Sequence, residues 1–395
     1  MTLEHPQPSD LEPTREAALR ALGAIRPSVA ADFPEPVIYA PPYRTKAGRE
    51  LAAYYLVRFL FVELLGFEHS GRDEKVAWSV PITYNGITFS ISHRKMGLGL
   101  FAYEENTNED AARQVVDLIN RAVKVAQPFY DGLASQAVMH SKINVMNNGR
   151  SLYDRFSFFL KSYYDKRKEC NDRKDERHIE KQESPYGTTT IIHSPAYELA
   201  TESRWLALAA IDAFFSWTEH IFIHMAILKG RIKTAGEVAA LAEADWHEKF
   251  KRALDLEDQT TKTLSDKLVD IRKGLRNFVA HGAFGKQGEA FEFHSSAGAV
   301  PVLLPRRAGS QKFRLGGGGA FDEHDAVGVI EAFIEHLWAG PRRPAEIYIQ
   351  QSGLPLILTM AASGAYANAM TSADAMTELV DHLMTEFDRA ADMDW

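Results

Sequence analysis

Cysteine is almost absent: Cys170 is the only one in 395 residues. One thiol excludes an intramolecular disulfide and any zinc site built on paired cysteines, and it fits a reducing cytoplasm. An excess of positive charge is also missing. The chain carries 53 acidic and 45 basic side chains, a net charge of −8, with a pI near 6.0. Taken whole, that balance favours solubility and gives no sign of nucleic-acid affinity. Residues 1–13 are polar and proline-rich, with no apolar core of the kind a signal peptide needs. Long uninterrupted apolar runs are lacking too. Residues 51–67 carry Arg58 and Glu63, and residues 205–228 carry Asp212, Glu219, His220 and His224. Charge at mid-span is costly in lipid, so both stretches are expected to be buried helices of a cytoplasmic protein without a membrane partner. No repeat of fixed period is visible.

What is present is the make-up of a folded globular chain: 45% apolar and 25% charged residues. The length suffices for two or three domains. The reading is mainly α: a small α+β module over residues 1–160, a charged linker over 161–195, and a helical bundle with a small β insertion over 196–395. In the first module a helix is expected over 46–67. Strands follow over 77–84 and 87–93, flanking Asn85-Gly86, the dipeptide that supplies positive φ to a tight hairpin. A third strand is expected over 97–103, and a helix over 108–125 that Pro128 ends or kinks. Residues 163–181 are dense in charge of both signs, which reads as a solvated helix or linker. Beyond it, helices are expected over 202–228, 235–254, 261–281 and 325–338, the last with Asp322 as N-cap. Residues 291–293 and 300–304 look like strands, and 316–319 is a glycine loop. A final helix over 372–391 follows a capping-box pattern, Thr371-x-x-Asp374.

One segment carries chemistry. Leu264, Leu268, Ile271, Leu275 and Phe278 recur at helical spacing and define a buried face. Lys273, Asn277 and His281 lie four apart along another face. Arg276 and His281 are five apart, about 140° around the helix, and Gly282 stands where a C-cap glycine is expected. In the last turn the helix dipole favours the protonated form of His281. The segment thus offers a titratable imidazole, a bidentate phosphate binder and a positioning amide. That is a minimal set for cleaving RNA without a metal. The imidazole takes the 2′-OH proton or protonates the leaving 5′-oxygen, and the guanidinium stabilises charge on phosphorus. Local charge agrees. Across residues 272–314 eight bases, Arg272, Lys273, Arg276, Lys286, Arg306, Arg307, Lys312 and Arg314, face two acids, Glu289 and Glu292. These bases are the expected RNA contacts.

The string Arg276-Asn277-x-x-x-His281-Gly282 closing an amphipathic helix resembles the R-N-x-x-x-H motif of the HEPN superfamily. The helix around Asp212, Ser216 and Glu219 is similar to that family's first core helix, which often carries an inward acid. The resemblance covers about residues 196–395. It implies a helical bundle, a metal-independent endoribonuclease of toxin or antiviral-defence type, no cofactor, and a homodimer that joins two motifs into one site. It also implies catalytic roles for Arg276 and His281, an orienting role for Asn277 and a further role for Glu219. Members modified by a partner nucleotidyltransferase carry tyrosine two residues past the histidine; Ala283 stands there here. The alternatives are a non-catalytic HEPN-like module binding a nucleotide or protein, and a plain helical scaffold. His220-x-x-x-His224 has zinc-ligand spacing but no evident third ligand. Ser92-His93-Arg94-Lys95 is a small basic cluster, read as a solvated turn or a contact for an anionic ligand. The first module is expected to take a regulatory partner or ligand.

Overall fold

The computed structural model describes residues 8–28, 43–71, 75–102, 109–276, 291–296, 298–303, 314–315 and 322–393. The described chain is mainly helical with small antiparallel sheets. It divides into two compact units, one of Met1–Lys142 with Asp381–Trp395, the other of Ile143–Val380.

The first unit runs α1 (Pro8–Leu22), β1 (Ile25–Pro27), β2 (Tyr43–Arg44), α2 (Tyr54–Arg58), β3 (Val76–Tyr84), β4 (Ile87–Arg94), β5 (Gly97–Ala102), α3 (Glu109–Val125) and α4 (Gln127–Met139). Strands β3, β4 and β5 form the expected meander, and β1 and β2 extend it to a five-stranded antiparallel sheet. The hairpin closes at Asn85 and Gly86, with φ of 49° and 82°. Both values are left-handed, the conformation a two-residue turn needs and one that asparagine and glycine adopt cheaply. Trp78, Val80, Ile82 and Tyr84 alternate onto one face of the sheet with Phe89 and Ile91 opposite them. Val115, Ile119 and Ala122 of α3 and Ala18 and Leu22 of α1 join these residues in one buried core.

The helix expected over 46–67 is broken into pieces. A 3-10 turn, Ala47–Glu50, is followed by extended backbone, then α2, then a π-helical turn, Phe59–Leu64. The cause is Asn120 of α3. Its side chain accepts from the Ala52 amide and donates to the Glu50 carbonyl, both at 2.8 Å. Those backbone groups gain tertiary partners and leave the helical ladder. Pro128 does not merely end a helix; it sits in the first turn of α4, where its missing N–H costs nothing.

The second unit runs β6 (Asn144–Val145), α5 (Gly149–Asp172), β7 (His178–Ser184), β8 (Gly187–His193), α6 (Pro195–Leu228), α7 (Ala235–Glu243), α8 (Trp246–Ala253), α9 (Gln259–Leu275), β9 (Phe291–Ser295), β10 (Gly298–Leu303), β11 (Arg314–Leu315), α10 (Glu323–Trp338), α11 (Arg343–Glu346), β12 (Leu356–Ile357), α12 (Leu358–Ser363), α13 (Ala365–Ala369) and α14 (Ala373–Met393), whose last turns group with the first unit. The division thus falls at 142/143 rather than at 160. Residues 161–195 are not a linker. Their first part continues α5, laced by Lys168–Asp172 and Arg173–Glu169 pairs, and Lys166 reaches Glu202 of α6 at 3.0 Å. The remainder is the β7–β8 hairpin. Mixed charge here solvates one side of a helix whose other side is packed.

Helices α5 and α6 are antiparallel along their length. Cys170 meets Ala196, Lys166 meets Glu202, Phe156 meets Phe214 and Tyr153 meets Trp217, one chain number rising as the other falls. Helix α6 is long and apolar enough to cross a membrane by length and composition. Here it is the core of the unit, with Phe214, Trp217, Phe222 and Met225 fully buried. Trp246 of α8 packs on Phe215 and Phe222 and donates its indole N–H to the buried Thr218 hydroxyl at 3.0 Å. Phe333 of α10 closes the aromatic cluster against Phe214 and Phe250.

Helix starts follow local capping. Thr234 and Glu237 form a capping box on α7, and Asp245, Asp258 and Asp322 cap α8, α9 and α10. The cap at Asp245 splits the single helix expected over 235–254 into α7 and α8. At α14 the cap is the Ser372 hydroxyl, accepting from the Ala375 amide, and not Thr371, which bonds Asn368 instead. Trp246→Ala, which removes 1%-exposed aromatic surface and the bond to Thr218, is expected to cost about 3–5 kcal/mol in denaturant unfolding. Trp205→Ala, at a 64%-exposed side chain of the same bundle, is expected to stay within about 0.5 kcal/mol.

Candidate functional site

Helix α6 is apolar on nearly every face except one. Asp212 and Ser216 are exposed there, and Glu219 is half-buried. Helices α8 and α9 flank that face, and a cavity of about 760 Å³ opens between the three. Leu208, Ala209, Trp246, Val269 and Leu275 give it an apolar wall. Its polar lining is Asp212, Asp245, His247, Arg272, Lys273 and Arg276. Three of the expected RNA-facing or catalytic residues, Arg272, Lys273 and Arg276, therefore converge on one concave surface. They do so because α9 presents its last turn to the groove. The backbone at Arg276 is still helical, and its amide reaches the carbonyls of Arg272 and Lys273.

The cations differ in freedom. Arg272 is held: it donates to Glu219 at 2.9 Å and lies over the rings of Phe215 and Trp246, at 5.8 and 6.0 Å from their centroids. Lys273 pairs with Asp270 on the exposed side of the helix at 3.3 Å. Arg276 is exposed. A guanidinium keeps further donors after one bond, so Arg272 can still present a fixed edge to a phosphate.

Glu219 is not placed as an inward catalytic acid. Its two oxygens are taken by Arg272 and by Lys249, the latter at 3.2 Å. The Lys249 side chain is only 7% exposed, so Glu219 neutralises a buried ammonium. Its role is to fix α8 and α9 onto α6. Asn277, His281, Lys286, Arg306, Arg307 and Lys312 lie outside the described residues, as do Gly282 and the glycine loop. The backbone of Arg314 forms β11, paired to Leu303 of β10. That short three-stranded sheet is the expected β insertion.

His247 is a site residue that sequence reasoning missed. It stands in the first turn of α8, after the N-cap Asp245, and its ring lines the cavity with a buried Nδ1 that has no hydrogen-bond partner among the described residues. The Asp245 carboxyl beside it is held below the usual carboxylate range, chiefly by the Glu248 amide that it caps. The only local signal was an aspartate cap two residues before a histidine. Nothing in linear spacing connected it to Arg276, which is 29 positions away.

His220 and His224 stand further along α6 and do a different job. The His220 Nε2 accepts the Asn148 amide at 2.9 Å, so that lone pair is not available to a metal. The His224 Nδ1 is 2.9 Å from the His220 carbonyl and its Nε2 is 3.1 Å from that of Met146. The pair pins residues 146–148 to the core helix. Burial lowers both pKa values, that of His220 to about 3 with His224 adding to the effect.

No family model, curated protein or solved structure matches the chain.

Two outcomes are expected. Glu219→Ala leaves Lys249 buried without a carboxylate and should lower stability by about 2 kcal/mol in denaturant unfolding, a loss that Glu219→Gln combined with Lys249→Met recovers in large part. The second concerns pH. Between pH 6.5 and about 3 the unfolded chain binds a proton at His220 that the folded chain refuses. Stability from this group is full above pH 6.5 and falls as the pH drops through that window. His220→Asn is expected to flatten the slope in a series of melts from pH 7 to 4.

Proposed function

We propose that the chain is a metal-independent endoribonuclease of HEPN type, cytoplasmic and homodimeric, that acts from the cleft between α6, α8 and α9. The observation that carries this reading is the convergence of Arg272, Lys273, Arg276 and His247 on one apolar-walled cavity. Cations in a concave, partly dry setting attract a polyanion and stabilise charge on phosphorus more strongly than the same groups on a flat surface. The reaction needs no group beyond these and His281. The ribose 2′-oxygen attacks phosphorus and its proton passes to an imidazole. The bond from phosphorus to the 5′-oxygen breaks, and that oxygen takes a proton from a second imidazole or from the first once it is protonated. The products are a 2′,3′-cyclic phosphate and a 5′-hydroxyl. In this reading Arg276 stabilises the phosphorane, Arg272 and Lys273 hold flanking phosphates, and His281 and His247 move the protons with Asn277 orienting His281. A toxin or antiviral effector is the biological setting that such chemistry serves.

A second reading is favoured by one observation. Arg272 is already committed to Glu219 and two aromatic rings, as in a site built to bind rather than to turn over. It makes the same cleft a non-catalytic module for RNA or nucleotide.

The purified full-length protein, incubated with tRNA and mRNA in EDTA, is expected to leave cyclic phosphate ends. Arg276→Ala and His281→Ala should each slow cleavage at least about 100-fold, and His247→Ala about tenfold. Cleavage at the wild-type rate in both of the first two variants would end the nuclease reading. Absence of cleavage together with salt-dependent RNA retention on a filter, weakened by Arg276→Ala, would establish the binding module. Light scattering that shows only monomer while cleavage proceeds would remove the composite-dimer element.

A further inference from the structure

The first unit holds a cleft of its own, of about 420 Å³, at one end of the core face of the five-stranded sheet. Its walls are Tyr54, Arg58, His69, Trp78 and His93. The set is unusual in composition: a phenol, an indole and two imidazoles beside a guanidinium. Trp78 and His93 are register partners across β3 and β4, so the hairpin places both rings on the same side of the sheet. Their centroids are 6.1 Å apart. Tyr54, from the first turn of α2, lies flat on His93 with centroids 4.3 Å apart and planes 4° from parallel. Trp78 is 6% exposed and Tyr54 is 48% exposed. The stack therefore runs from a buried floor to an open rim.

Arg58 stands one helical turn after Tyr54 on α2, so both project from the same side. Its guanidinium spends one Nη on Glu63 at 3.0 Å, a contact that is half open to water, and among the described residues its other donors have no acceptor. The exposed His69 adds a second nitrogen base to that rim. Flat π-faces next to a forked cation recognise a planar heterocycle that carries a phosphate. An aliphatic acid would leave the rings unused, and an apolar ligand would strand the guanidinium. The cleft volume falls in the range of small-ligand sites.

We propose that this cleft binds a nucleoside monophosphate, its base continuing the Tyr54–His93 stack and its phosphate on Arg58. Glu63, the one acid paired with Arg58 among the described residues, opposes the phosphate and sets an upper limit on affinity. The site is independent of the cleft in the second unit and stands whether or not that cleft cleaves RNA.

Titration calorimetry on the full-length protein tests it, with AMP, GMP, CMP and UMP as ligands and adenosine and inorganic phosphate as separate arms. At least one monophosphate is expected to bind, and adenosine and phosphate each about tenfold more weakly or less. Tyr54→Ala should weaken binding about tenfold while Tyr54→Phe retains it, since the phenyl face alone stacks. Arg58→Gln should remove the advantage of AMP over adenosine and leave adenosine itself unchanged. Glu63→Gln should tighten the monophosphate by releasing Arg58, a gain that a damaged fold would not produce. No heat from any of the four monophosphates at about 1 mM overturns the proposal. So does binding of equal strength in Tyr54→Ala and Arg58→Gln, because the ligand then sits elsewhere.

Discussion

A 34-residue helix that is apolar on nearly every face has to be covered on nearly every side, and the second unit is organised around meeting that demand for α6. Helix α5 runs antiparallel along it, α8 and α10 bring Trp246, Phe250 and Phe333 against it, and the segment before α5 is tied to it through His220 and His224. These elements also make directional bonds to α6: Trp246 and Lys249 of α8 to Thr218 and Glu219, Lys166 of α5 to Glu202, and Glu323 of α10 to Arg204. Apolar burial supplies most of the driving force, while these few polar bonds fix the rotation of each helix about its axis.

The single polar stripe of α6 is where that cover opens. There the ion pairs from Glu219 to Arg272 and Lys249 anchor α9 and α8 on either side of a groove, and the groove becomes the cavity lined by Arg272, Arg276 and His247. The same acid that resembles a catalytic group in the linear sequence is thus the bridge between Lys249 of α8 and Arg272 of α9. Cations in the last turn of α9 also lie near the negative end of its dipole, which stabilises their clustering when no ligand is bound.

The first unit uses a different device. A tight hairpin through Asn85 and Gly86 sets the register of β3 and β4, and register alone brings Trp78 and His93 side by side. Tyr54 joins them because Asn120 diverts residues 50–52 from helical bonding, so that α2 starts only at Tyr54. A polar side chain on α3 thereby decides which ring reaches the rim of its cleft.

Much of this was legible in the amino-acid order. The meander, its turn, the long apolar helix, the Asp322 cap and the clustering of cations along α9 all follow from period, turn chemistry and local charge, which act between near neighbours. The continuation of α5 through residues 163–172 was not legible, because charge of both signs suits a solvated helix and a linker equally. Nor was the break at Asp245, where a side-chain cap competes with an otherwise continuous helical pattern. His247 and the bridging role of Glu219 were invisible for a stricter reason. Glu219 is 30 positions from Lys249 and 53 from Arg272, and only the packing of three helices brings them together. Sequence alone determined which segments are helix or strand and where positive charge accumulates, since those depend on interactions within a few residues. Tertiary structure decided which of those charges are free and which are already paired, since that depends on groups the chain meets only after it has folded.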